Sequence, residues 1–120
     1  MFNKKALTMK LILTSAALVA GLFVAGPAAA KPSECSLVVA KRDIFSGTCE
    51  FVSSPDGTGS FTLTSPTGYF VYVNIYPEEV LGYWNGLTKE SRAHDDLGSL
   101  IREDADPACW SNGYARVCAR

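Results

Sequence analysis

Four cysteines, in a chain with only about ninety residues left to fold once its leader is set aside, constrain this sequence more than any other feature. Met1 to Lys10 carries three lysines and no acid, and Leu11 to Val24 is apolar apart from Thr14, Ser15 and Gly21. Ala28-Ala29-Ala30 follows Pro27. A basic start, an apolar middle and a small-residue end are the three parts of a secretory signal peptide. The apolar run is shorter than the about 18 residues a membrane span needs. Removal of residues 1–30 is therefore expected, with no stable membrane insertion afterwards. Cys35 stands behind Pro32-Ser33-Glu34 rather than directly behind the small residues, which argues against lipidation as a bacterial lipoprotein. Residues 31–120 then make one domain, periplasmic or secreted. Its even number of cysteines predicts two disulfides in an oxidising compartment. In a domain of this size such crosslinks substitute for part of the core a larger protein would have.

The gaps between Cys35, Cys49, Cys109 and Cys118 are 14, 60 and 9 residues, and His94 is the single histidine. That spacing does not supply a zinc finger or ribbon. Three pairings are open on sequence grounds, and hairpin geometry favours Cys35–Cys49. With Lys41-Arg42-Asp43 as a loop, Ala40 faces Ile44 and Cys35 comes opposite Cys49. Asn112-Gly113 has the composition of a type I′ turn, which places Trp110 opposite Ala115 and Cys109 opposite Arg116. Cys118 then lies two residues beyond. Cβ atoms in a disulfide must be about 3.5–4.5 Å apart, so a Cys109–Cys118 bridge needs a bulge or a bend.

The rest of the chain reads as short strands. Ser36–Ala40 is rich in β-formers, and Ile44–Val52 forms a long return arm. Ser60–Thr64 alternates, with Phe61 and Leu63 on one face. Tyr69–Ile75 is apolar or aromatic on both faces, as in a strand packed on both sides. Val80–Gly86 ends in a second Asn-Gly, a strand end or an exposed loop. Lys89 to about Asp96 reads as a polar loop with at most one helical turn, followed by a strand to Arg102 and an acidic turn over 103–107. Pro55-Asp56-Gly57 and Ser65-Pro66-Thr67-Gly68 are turn chemistry. Six or seven strands in an all-β fold are expected, a small disulfide-crosslinked antiparallel sandwich or partly open barrel.

Removing Lys4, Lys5 and Lys10 leaves eight Lys plus Arg against twelve Asp plus Glu. An acidic domain has no basic surface for phosphate contacts, so nucleic acid is excluded as a partner and a basic protein fits better. His94-Asp95-Asp96 is the segment most like a catalytic or metal motif, because a carboxylate can orient an imidazole base. No serine has the setting of a nucleophile elbow, and neither a catalytic set nor a metal set is assigned. Glu103, Asp104 and Asp106 lack the spacing of a calcium loop. Arg92, Arg102 and Arg116 can pair with nearby acids or read a carboxylate or sulfate on a ligand. Tyr72, Tyr76, Tyr83, Trp84, Trp110 and Tyr114 are many large rings for so small a domain, serving as core or, where exposed, as interface anchors. The candidate binding residues are Tyr83, Trp84, Asn85, Arg92 and His94. No cofactor is implied.

GTCEF, YFVYV, GYWNG, RAHDDLGSL and ACWSNGYARVCAR resemble small secreted proteins of Gram-negative bacteria. That resemblance covers most of residues 31–120, implies export, and carries no activity. In size, export, disulfides and β-rich build the chain is also similar to periplasmic lysozyme inhibitors, but their serine- and tyrosine-bearing inhibitory loop has no counterpart here, so no residue role is carried over. The expected function is an exported protein-binding module, with inhibition of a basic cell-wall hydrolase such as lysozyme as its narrower form. The alternatives are a structural or stress-related envelope protein without catalysis, and a small hydrolase using His94.

Overall fold

The computed structural model describes residues 30–120, so the expected signal peptide lies outside the described residues. Eight antiparallel strands run in sequence order: β1 (Lys31–Val39), β2 (Arg42–Ser53), β3 (Phe61–Thr64), β4 (Phe70–Ile75), β5 (Val80–Trp84), β6 (Asp95–Arg102), β7 (Cys109–Ser111) and β8 (Ala115–Ala119). Each pairs with its neighbours, and β8 returns to pair with β1, so the sheet closes into a barrel. The all-β expectation holds. Of sandwich and barrel the molecule is the barrel, closed rather than partly open, because Cys35–Val39 pairs with Phe45–Gly47 and Arg42–Asp43 on one side and with Ala115–Ala119 on the other. Closure leaves no free sheet edge along this circuit.

Alternation in the strands decides what the barrel contains. Leu37, Leu63, Val71, Val73, Leu97 and Val117 point inward and are fully buried. An eight-stranded barrel is just wide enough for side chains to fill it, and here Trp84, Leu100 and Phe61 complete the filling. The interior is a core, and binding is left to the outer faces and the two ends.

Both disulfides form as paired above, Cys35–Cys49 and Cys109–Cys118, but neither expected register is correct. The β1–β2 turn is two residues, Ala40-Lys41, both at positive φ (52° and 63°). A register shift between Leu37 and Val38 leaves Ile44 unpaired. Cys35 therefore faces Gly47, and Cys49 faces Ser33. The bridge is diagonal, with a Cα–Cα distance of 5.8 Å. Gly47 is at φ 120°, and a Cβ there would meet no atom within 4 Å, so its backbone conformation rather than crowding is what favours glycine. The β7–β8 turn is also displaced. Its central residues are Gly113-Tyr114, with Gly113 at φ 86° and Asn112 N–H donating to Ala115 O (3.1 Å). Glycine at the first central position is what a type II′ hairpin needs. The displacement moves the register by two and sets Cys109 directly opposite Cys118, Cα–Cα 4.0 Å, so no bulge is required.

Asn112 explains the displacement. Its Oδ1 accepts from Tyr114 N–H (3.0 Å) and Ala115 N–H (2.9 Å), and its Nδ2 donates to Leu97 O (2.7 Å) and Ser99 O (2.9 Å). The two Oδ1 bonds close the turn on itself, and the two Nδ2 bonds tie it to β6. Together they give the side chain more partners than a central turn position would. Between the two bonded carbonyls Gly98 sits at φ 83°, and a Cβ there would come within 3.1 Å of Asn112 Nδ2.

Candidate functional site

The GYWNG segment divides between packing and surface. Tyr83 faces outward on β5 and is half-buried. Trp84 faces inward, 4% exposed, with its ring 6.2 Å from that of Tyr69. Asn85 is 2% exposed. Its Oδ1 accepts from Phe70 N–H (2.9 Å), and its Nδ2 donates to Gly68 O and Glu90 O (3.1 Å each). The second Asn-Gly is thus an internal clamp joining two loops at one end of the barrel rather than a hairpin turn. Buried polar groups are stable only when so partnered. Arg92 and His94 are exposed in the segment between β5 and β6. The five predicted residues therefore do not assemble into one patch: Tyr83 lies on the outer wall, Trp84 and Asn85 lie inside, and Arg92 and His94 stand on a loop.

Tyr83 nevertheless belongs to a coherent surface. Register places Val52, Thr62, Tyr72, Tyr83 and Asp96 side by side, one from each of five successive strands, β2 to β6. All share the outer face, since their chain neighbours Phe51, Leu63, Val71, Trp84 and Leu97 belong to the core. Tyr72 is 41% exposed, and the Phe70 ring lies beside it at 5.8 Å. Next to this row is a cleft of about 450 Å³ lined by Val52, Asp56, Thr62, Tyr72, Asn74 and Tyr76, among others. Tyr76 is 48% exposed.

The charge around this surface has one sign along a long stretch of chain. Between Arg42 and Lys89 there is no lysine or arginine, only Asp43, Glu50, Asp56, Glu78 and Glu79. That stretch builds β3, β4, β5, nearly all of β2, and the loops between them. Asp56 is preorganised at the cleft. Its Oδ1 accepts from Thr58 N–H (3.0 Å) and Thr58 Oγ1–H (2.7 Å). The Thr58 hydroxyl bond, followed by the backbone one, holds the carboxyl below its ordinary range. Ser60 Oγ accepts from Ile75 N–H (2.8 Å) and so pins the loop to β4. Asp56, Thr62 and Asn74 were missed by reading the sequence alone. The gap in cations was the signal that would have found them.

Arg116 and Glu103, by contrast, organise the domain internally. Arg116 Nε and Nη2 donate to Glu103 Oε2 and Oε1 (2.8 and 3.0 Å), and Arg120 donates two bonds to Asp106 (2.8 and 2.6 Å). The acidic turn is thereby drawn over the outer side of β8, and Cys109 and Cys118 beneath it are buried. Among the described residues no group of three or more His, Cys, Asp or Glu side chains is placed to hold a metal ion. Nor is any helix among them long and apolar enough to cross a membrane. Compared with known proteins, the chain matches no family model, no curated protein and no solved structure.

Proposed function

We propose that the barrel is an exported binding module for a basic protein, docking through the tyrosine row and cleft of β2 to β6. The leader-like residues 1–30 support export to the periplasm or beyond. The observation that carries the reading is a surface of exposed tyrosines bordered, from Arg42 to Lys89, by acids alone. Exposed aromatics anchor interfaces, and a lysine or arginine of the partner would meet both a ring face and the Asp56 carboxylate. Strands already locked in a closed barrel lose little freedom on docking. A basic cell-wall hydrolase such as lysozyme is the first partner class to test.

Calorimetry of residues 31–120 against a panel of lysozymes, at low and moderate salt, tests it. The expected result is binding at micromolar levels or tighter, weakened by salt, with Tyr72→Ala and Tyr76→Ala each lowering affinity about tenfold. Absence of heat with every lysozyme at both salts removes the hydrolase form. Binding that Tyr72→Ala, Tyr76→Ala and Asp56→Asn all leave unchanged removes the site.

A further inference from the structure

The end of the barrel where β1 begins and β8 finishes carries an inward-facing layer unlike the core above it. Phe51, Phe61 and Trp110 contribute rings, and Ile75 and Ala119 complete its apolar part. Phe51 and Phe61 are stacked with centroids 5.2 Å apart. Together with Arg102, Thr58 and Pro107 these residues line a cleft of about 470 Å³, within the range of small-molecule sites.

Two cations belong to the same layer. Arg102 is the cross-strand partner of Trp110 and follows inward Leu100 by two positions, so its side chain projects from the inner face at the rim. Its guanidinium lies 5.2 Å from the centroid of the Trp110 ring, and its Nε donates to Pro107 O (2.8 Å). The stack and the Nε bond orient the group while leaving both terminal nitrogens without a protein acceptor among the described residues. No carboxylate there lies within ion-pair distance of it, and the nearest acidic turn spends Glu103 and Asp106 on Arg116 and Arg120. Lys31, cross-strand partner of Phe51, places its Nζ 5.3 Å from the Phe51 centroid. Arg102 is exposed at the rim, so the stack and the Nε bond hold its two terminal nitrogens at the edge of the apolar rings, where an incoming anion can reach them.

We propose that this mouth binds a small hydrophobic carboxylate, with the apolar body against Phe51, Phe61 and Ile75 and the carboxylate on the Arg102 guanidinium. The mouth adjoins the cleft of the tyrosine face and shares Thr58, Phe61 and Ile75 with it, whereas Phe51, Arg102 and Trp110 line the mouth alone, and the proposal does not rest on the tyrosine reading. Trp110 reports occupancy, since Trp84 is buried toward the other end of β5. Titration of residues 31–120 with decanoate below its micellar concentration, followed by tryptophan fluorescence and calorimetry, is the test. Saturable binding is expected, with decanol and Arg102→Gln each weaker by about tenfold or more. Arg102→Lys should recover part of the loss. Trp110→Phe should silence the fluorescence change while calorimetry still detects decanoate. Thermal melts of each variant confirm the barrel. Decanol binding as well as decanoate, or folded Arg102→Gln binding decanoate unchanged, would overturn the proposal, as would the absence of saturable decanoate binding.

Discussion

Single residues carry much of the organisation of this barrel. Asn85 is the clearest case, because its side chain is buried and removing its amide leaves Phe70 N–H and the Gly68 and Glu90 carbonyls without that partner. Asn85→Ala should lower stability by about 2–4 kcal/mol, read from urea unfolding; a loss under about 0.5 kcal/mol would mean water replaces the bonds. Ala40 and Lys41 point the other way. Both hold a left-handed conformation that costs a residue with a Cβ roughly 1–2 kcal/mol, and Ala40 N–H donates to Tyr114 O (2.8 Å). Replacing them by Asn-Gly keeps that donor and relieves the strain, so the melting temperature should rise by about 4–8 °C. At this scale the sequence was a poor guide. Asn-Gly read as a turn at 112–113 and as a strand end or exposed loop at 85–86, yet each asparagine is occupied by carbonyls from other strands or loops. The first hairpin turns on a pair with no turn signature. Local composition registers what a residue can do next to its neighbours, and these roles are set by atoms at least 13 positions away for Asn112 and 15 or more for the two links Asn85 makes to Gly68 and Phe70.

Among the elements, β7 is the weak member. It has three residues, and only two of them pair with β6. Its other side is crosslinked to β8 by Cys109–Cys118, and the turn over 103–107 closes above that bond through Arg116 and Arg120. Replacing both cysteines by alanine should cost about 2–3 kcal/mol, and hydrogen exchange should show the loss first at the β6–β7–β8 amides. Uniform loss of protection around the barrel would contradict a local seam. The clasp also predicts an acid response. Hydrogen bonds from Arg116 lower the Glu103 carboxyl from 4.5, and those from Arg120 lower Asp106 from 3.8. A carboxyl depressed in the folded state stabilises above its unfolded value and ceases to as pH falls through its folded one. The melting temperature should hold from about pH 7 to 5 and drop below about pH 4, less steeply in Glu103→Gln/Asp106→Asn. Equal slopes would place the titration elsewhere. Strand existence was legible here, because alternation in Ser60–Thr64 and the β-rich run of Tyr69–Ile75 are local. Register was not, since it turned on two displaced turns and on register shifts in two strand pairs, β1–β2 and β5–β6.

For the whole molecule, closure is the feature least written in local pattern. It depends on Leu37 finding Val117 and Val39 finding Ala115 across nearly the full domain. Ring-forming contact of that kind leaves no periodicity to read. The charge layout is the opposite case, printed openly as a chain without cations from Arg42 to Lys89, but it gains meaning only once closure places those strands side by side. Three surfaces then differ in kind: a tyrosine wall with acids, a mouth with arginine and lysine, and an end sealed by Asn85. Mapping backbone amide shifts of residues 31–120 during titration with a basic lysozyme tests the central claim most directly. Shifts are predicted at Thr62, Tyr72, Asn74, Tyr76 and Tyr83, and at the Asp56 loop, fading as salt is added. Saturating shifts confined to the β1–β8 side or to the Arg102 mouth, or none at all, would contradict it.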